Sequence, residues 1–250
     1  MLSGMKNKIL RAAACAAVWL GLWEIVAACV KHSVILPSPR AVAVCLVGLM
    51  RSADFYATCF GSILRIFIGF ILGVIIGTVL AALSHIGLEF LISPAMSVIK
   101  ATPVASIIIV MLFFIGRDSV PITATLLMVI PIVYTNVLRG IRSVPRELDE
   151  VARVYSFSRM KRARYCVIPA VLPYFSAGIR TSIGLAWKAG VAAEVICTPS
   201  GSIGSMLYNA KVYLESEELF AWTFTIVIIS MIIEKLIVSA LGRFTEVSAS

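Results

Sequence analysis

Runs of apolar residues long enough to cross a bilayer limit what this chain can become more than any other feature. A helix needs about 20 such residues to span the hydrocarbon core. Runs of that order recur near residues 9–30, 63–83, 90–115, 120–138, 170–196 and 220–241. In hydrocarbon each segment must satisfy its own backbone hydrogen bonds, which a helix does. Composition agrees: 60% of the 250 residues are hydrophobic and 14% are charged, against about 25% charged in a soluble domain. The expectation is an all-α membrane protein of about six transmembrane helices. No repeat is visible, and residues 1–250 read as a single domain with its core at 60–245.

Lys6, Lys8 and Arg11 precede the first run, as in a signal peptide, but the run continues to Val30 and reads as a retained span. The third run holds Pro94 and Pro103, and the fourth holds Pro121 and Pro131. Prolines inside spans are tolerated when neighbouring helices satisfy the freed carbonyls, so two broken spans in succession suggest a packed bundle around a pathway. Gly69, Gly73 and Gly77 recur four apart and read as close helix packing.

The net charge of +9 is concentrated between the apolar runs. It therefore speaks for orientation in a membrane rather than for nucleic acid. Residues 139–164 carry Arg139, Arg142, Arg146, Arg153, Arg159, Lys161, Arg162 and Arg164, whereas residues 198–219 set Lys211 against Glu215, Glu217 and Glu218. The positive-inside rule places the first segment in the cytoplasm, the second outside and both termini cytoplasmic. Residues 31–51 are discordant, being moderately basic yet external, and read as partly helical at the interface. The six cysteines form no CxxC pair and the two histidines are isolated. That excludes zinc-type spacing and leaves small packing residues. Nothing demands a Cys45–Cys59 bridge.

The longest cytoplasmic loop looks folded. Ser143-Val144-Pro145 is a helix-start signal, and Glu147, Asp149 and Glu150 follow near the positive end of the helix dipole. Leu148, Val151, Ala152 and Tyr155 share one face. Ser156-Phe157-Ser158 breaks the pattern, and Ser158 can cap a second short helix bearing Met160, Ala163 and Val167, with Pro169 and Pro173 framing the next span. Such a helix–turn–helix can insert into a partner's groove, lie on anionic lipid or stand solvated.

Within the spans, Lys100, Arg180, Lys188 and Glu194 are candidate pathway residues, since intramembrane charge is costly and commonly functional. Glu24 and Glu234 are weaker because they lie in the flanking spans. The three cations would suit an anionic solute. Against that, Arg180 can snorkel to the cytoplasmic face, and Lys188 and Glu194 can be satisfied inside the bundle or at a subunit interface.

Residues 150–158, Glu-Val-Ala-Arg-Val-Tyr-Ser-Phe-Ser, followed by Val167-Ile-Pro-Ala-Val-Leu-Pro173, resemble the EAA loop of ABC importer permeases. Leu36-Pro-Ser-Pro39, Ser62-Ile-Leu-Arg65-Ile66, Gly178-Ile-Arg180, Ala186-Trp187 and Ala193-Glu194 are similar to the branch that imports nitrate, sulfonates, taurine and bicarbonate. The resemblance implies a permease subunit that moves a small polar, anionic solute inward and binds no cofactor itself. ATP and magnesium would sit on a cytoplasmic ABC ATPase. The implied partners are that ATPase, a second permease subunit (read as a second copy), an external solute-binding protein and the bilayer of the inner membrane, with no nucleic acid. It also implies that residues 143–168 couple ATPase to spans, through Glu150, Ala152, Arg153 and Ser156, with Leu148 and Tyr155 as apolar anchors. Ser156 and Phe157 depart from the family's Gly-Ala, and a left-handed turn there costs about 1–2 kcal/mol unless glycine occupies it. No glycine-rich phosphate loop, zinc-protease motif or plausible catalytic triad argues for an enzyme. The alternative is an ATPase-independent secondary transporter or channel, although no inverted repeat supports it.

Overall fold

The computed structural model describes residues 2–30 and 32–247, and the regular elements among them are all helical. Helix α1 is Leu2–Val30, α2 is Pro39–Leu49 and α3 is Ala53–Leu83. A five-residue π-turn, Ser84–Leu88, joins α3 to α4, Glu89–Ala101; Gly87 takes φ 115° there, a value open to a residue without Cβ. Then come α5, Val104–Leu112, and α6, Val120–Arg142. The loop holds α7, Arg146–Val154, and α8, Arg159–Arg162, and α9, Ile168–Cys197, α10, Ile203–Val212, and α11, Ser216–Val247, complete the chain. Five of the six expected runs fall on single helices, and the third is divided between α4 and α5 and ends beyond α5. Four stretches of described residues are long and apolar enough to cross a membrane: Ala53–Ala101, Val120–Arg142, Met160–Cys197 and Ser216–Gly242. Ala14–Val30 and Pro39–Leu49 are shorter apolar helices.

Helix α6 is the centre of the bundle, with Val120, Thr125, Val129 and Val133 fully buried. Its neighbour α3 lies backbone to backbone against it. A Cβ added to Gly69 would sit 2.4 Å from the Ile122 carbonyl oxygen, and one on Gly77 2.8 Å from that of Ile130. The glycine spacing thus reads as it looks: where lipid tails are as apolar as leucine, contact area between small residues supplies the attraction. On its other side α6 runs antiparallel to α9, with Gly140 against Val171 and Tyr174, and Thr125 against Gly190. Helix α11 covers α9, and Trp187 Nε1 donates to Ile226 O at 3.2 Å.

Three local expectations change. First, α3 starts at Ala53, ahead of the apolar run at 63, because Ser52 Oγ accepts from Phe55 N at 3.2 Å and caps it; Ser62 and Arg65 therefore lie well inside α3. Second, Ser143 does not start α7: its hydroxyl donates to Gly140 O at 2.8 Å and closes α6, and α7 begins after Pro145. Third, α8 continues through a π-turn, Ala163–Val167, into α9, with Pro169 in the first turn of α9 and Pro173 inside it. The expected third span breaks at Thr102-Pro103, where Thr102 is extended (ψ 128°).

Candidate functional site

The two ends of the bundle carry different chemistry. At the α10 end, Glu194 is fully buried (0% exposed) yet carries a carboxylate. Its three partners come from α3 and α10. Ser62 Oγ donates to Oε2 at 2.7 Å, Arg65 Nε to Oε1 at 3.2 Å and Gly204 N to Oε2 at 3.3 Å. Ser62 Oγ in turn accepts from Ile203 N at 2.9 Å, and Arg65 reaches Gly201 O at 2.8 Å. The first amides of α10 are orphan donors at the positive end of its dipole, so a carboxylate delivered by α9 caps α10 from outside. Gly204 makes the approach feasible, since a Cβ there would lie 2.4 Å from Glu194 Cβ. The consecutive helices α9 and α10 are thereby pinned to the distant α3.

The cations separate from this cluster and partly from one another. Lys100, in the last turn of α4 beside the break, donates to Thr135 Oγ1 on α6 at 2.6 Å. Lys188 stands exposed on α9 in line with Ala177, Thr181, Gly184 and Ala192. Arg180 is also exposed, but at about 100° per residue it falls on the edge of α9 that carries Trp187, toward α11. Lys100 thus reaches α6 from α4, whereas Lys188 and Arg180 stand on different sides of α9. Among the described residues none of the three is ion-paired. The other ion pair joins Arg142, at the end of α6, to Glu89, at the start of α4.

At the opposite end, α7 closes on a left-handed residue. Ser156 has φ 47°, and Phe157 N donates to Ala152 O at 2.8 Å, the long-range bond that ends a helix around such a residue. Ala152 is buried at 4% exposed, while Leu148, Val151, Val154 and Tyr155 are exposed, Tyr155 at 72%. Glu150 is exposed too. Ser158 caps α8, its Oγ accepting from Lys161 N at 3.4 Å. The side chains of Arg153 and Arg159 lie outside the described residues. Of the expected apolar face, Leu148, Val151 and Tyr155 are uncovered and Ala152 is buried.

Residues 69–246 match the family described as the binding-protein-dependent transport system inner membrane component. The chain belongs to that family. This inner membrane component is 29% identical over 211 residues to a putative aliphatic sulfonates transport permease of Bacillus subtilis, covering 82% of this chain and 75% of that one. It is 29% identical over 152 residues to a bicarbonate transport system permease of Synechococcus elongatus, covering 60% and 55%. Among solved structures it shares its fold with a chain of the MetNI methionine ABC transporter in inward-facing form, at TM-score 0.56 and 17% identity, covering 77% of this chain and 93% of that one. The chain is thus a multi-pass transport component of the inner membrane, and its family is one of permeases, not of enzymes.

Sequence reasoning singled out Glu194 but not its partners. Ser62 and Arg65 precede it by 132 and 129 residues, and no periodicity links such positions. One signal was present: Arg65 is the lone base of α3 and Glu194 the lone acid of α9, opposite charges that hydrocarbon tolerates best as a pair.

Proposed function

We propose that this inner membrane component is the permease subunit of an ATP-binding-cassette importer that admits a small anionic solute. The observation that carries the anion is the separation of charge among the spans: Glu194 is spent on Ser62, Arg65 and α10, while Lys100, which donates to Thr135 on α6, and Lys188 have no ion pair among the described residues. An exposed cation within the spans and without an acid beside it favours a passing anion. The relatives named for sulfonates and for bicarbonate, both anions, support the same class. Arg180 serves as an anchor near the cytoplasmic face rather than as part of this pair.

On this reading the basic loop and both termini face the cytoplasm, and the α10 end receives solute from an external binding protein. Residues 143–168 dock onto a separate ATPase, which holds ATP and magnesium. Leu148 and Tyr155 fill an apolar groove on it, and Glu150, Ala152, Arg153 and Ser156 fix the angle of approach. A second copy of the chain completes the pathway.

The test is reconstitution of the chain with its co-purifying ATPase and binding protein in liposomes, with taurine and bicarbonate as probe solutes. ATP-dependent uptake of at least one is expected. Lys100→Gln with Lys188→Gln should reduce uptake at least about tenfold while leaving ATPase assembly intact. Ala152→Asp should release the ATPase without unfolding the spans. Uptake that proceeds without any ATPase would instead establish a secondary transporter or channel.

A further inference from the structure

The discordant basic segment before α3 has a structural use. Helix α2 is capped by Ser38, whose Oγ accepts from Ala41 N at 3.2 Å, with Pro39 in its first turn. It buries Val42 and packs Leu46 and Leu49 beside Phe55 and Trp222. Its other side bounds a shallow cavity of about 430 Å3 between Arg40 and Arg51, floored by Val44 and Val47. Among the described residues neither arginine has an ion pair. Asp54 follows in the first turn of α3 but bridges neither. The carboxylates of Glu215, Glu217 and Glu218 gather in a separate cavity beside Cys45.

Arg51 stands just ahead of Ala53, where a stretch long and apolar enough to cross a membrane begins, which sets the basic rim beside that end of the stretch. From Met50 an apolar furrow runs down between α3 and α11. Its first stretch, about 260 Å3, is walled by Tyr56, Cys59, Ile63 and Ile228. Its second, about 210 Å3, shares Ile63 and continues past Phe67, Trp187 and Leu236. Thr225, on the wall, turns its hydroxyl to Ala221 O at 2.9 Å. From Phe55 to Phe70 the furrow follows about 22 Å of helix, roughly the reach of one extended fatty-acyl chain.

We propose that the basic rim of α2 and the furrow between α3 and α11 form one site for an anionic phospholipid. The phosphate occupies the cavity bounded by Arg40 and Arg51, and one acyl chain lies in the furrow. Two guanidiniums at the headgroup level above a carbon-lined groove match a charged head on an apolar tail, and match neither a zwitterionic lipid nor a soluble anion as well. The site also accounts for positive charge retained on a segment where the positive-inside rule predicts little.

The full chain, assembled in nanodiscs of phosphatidylcholine and phosphatidylglycerol and released into mild detergent, tests this by native mass spectrometry of the lipids retained. Phosphatidylglycerol should be retained over phosphatidylcholine. Arg40→Gln and Arg51→Gln should each lower its retention about fivefold, with an unchanged melting temperature and unchanged phosphatidylcholine. Ile63→Trp, which blocks the furrow where its stretches meet, should lower retention of both lipids. Equal retention of the two lipids by the wild type, or indifference to both arginine variants, would overturn the proposal. So would efficient disulfide trapping between copies through Phe67→Cys, since a second chain would then occupy the furrow.

Discussion

Two ends of the bundle use the same backbone device and make different things of it. Helix α9 ends at Thr198 and α7 ends at Ser156, each with φ 47°, in the left-handed region that favours glycine. Behind Thr198 lies a buried ionic cluster that ties α9 to α3 and α10. Around Ser156 the apolar side chains of α7 are bare apart from Ala152. At the first end, contacts within the chain offset the strain; at the second, the chain alone offers little to offset it. The contrast separates a junction built to stay fixed from a surface whose contacts come from elsewhere, and variants at each end should respond accordingly.

The largest effect is expected at Glu194. Glu194→Ala leaves Arg65 without its acid and strands the first amides of α10. Removing one partner of a buried pair costs about 3–5 kcal/mol, so the purified chain should melt far below the wild type or fail to accumulate. Glu194→Gln keeps the shape and can accept from Ser62, so it should fall between the two. A melting temperature indifferent to both would mean that α10 is held by packing alone. Gly204→Ala attacks the same junction sterically. Its Cβ would lie 2.5 Å from the Glu194 carbonyl carbon and from Val195 N, and such overpacking costs about 1–3 kcal/mol. Faster proteolysis within residues 198–204 would report the loosening of α10, and an unchanged cleavage rate would refute it.

A smaller effect is expected at Ser156. Replacement by glycine removes about 1–2 kcal/mol of left-handed strain and adds about 0.4–1 kcal/mol of unfolded-chain entropy, so the net gain lies between about 0 and about 1.6 kcal/mol. Loop 143–168 should become slightly more resistant to proteolysis while keeping its turn. A marked loss of resistance would show that the serine side chain holds the turn. The departure from the family's glycine is thus a tolerated strain and not a different fold.

How much of this was legible follows from the range of each interaction. The spans, the amphipathic loop and the glycine stripe are periodic within one segment, so local pattern suffices. The left-handed turn at Ser156 was anticipated only because glycine stands there in the family. Ser143 was misassigned because a serine between two helices can close one or open the next, and the choice depends on which carbonyl lies within its reach. The start of α3 was missed because hydropathy begins at Ile63 while the cap, Ser52, precedes it by three turns. The Glu194 cluster draws on residues more than a hundred positions apart, and only the folded bundle shows that they meet.

The smallest effect concerns the turn from α10 to α11, which shows that lying at the α10 end does not by itself lock a segment. Leu214 takes φ 60°, and Glu215 N donates to Ala210 O at 2.8 Å, a third left-handed helix end, here exposed to solvent. The Glu215 carboxyl is pushed above its ordinary value, first by its hydrogen bond with Glu218 and then by that residue's charge. A raised carboxyl pKa means that the folded chain binds the proton more readily than the unfolded one, so this contribution is present at low pH and is lost as pH rises through the folded value. Glu215→Gln should therefore flatten the pH dependence of melting just above pH 4.5, leave the acid side nearly unchanged and stabilise slightly at neutral pH by removing a like charge. Because the pair is exposed, the gain should shrink further in high salt. A neutral-pH gain that persists undiminished in molar salt would mean that Glu215 acts through packing of the turn and not through its charge.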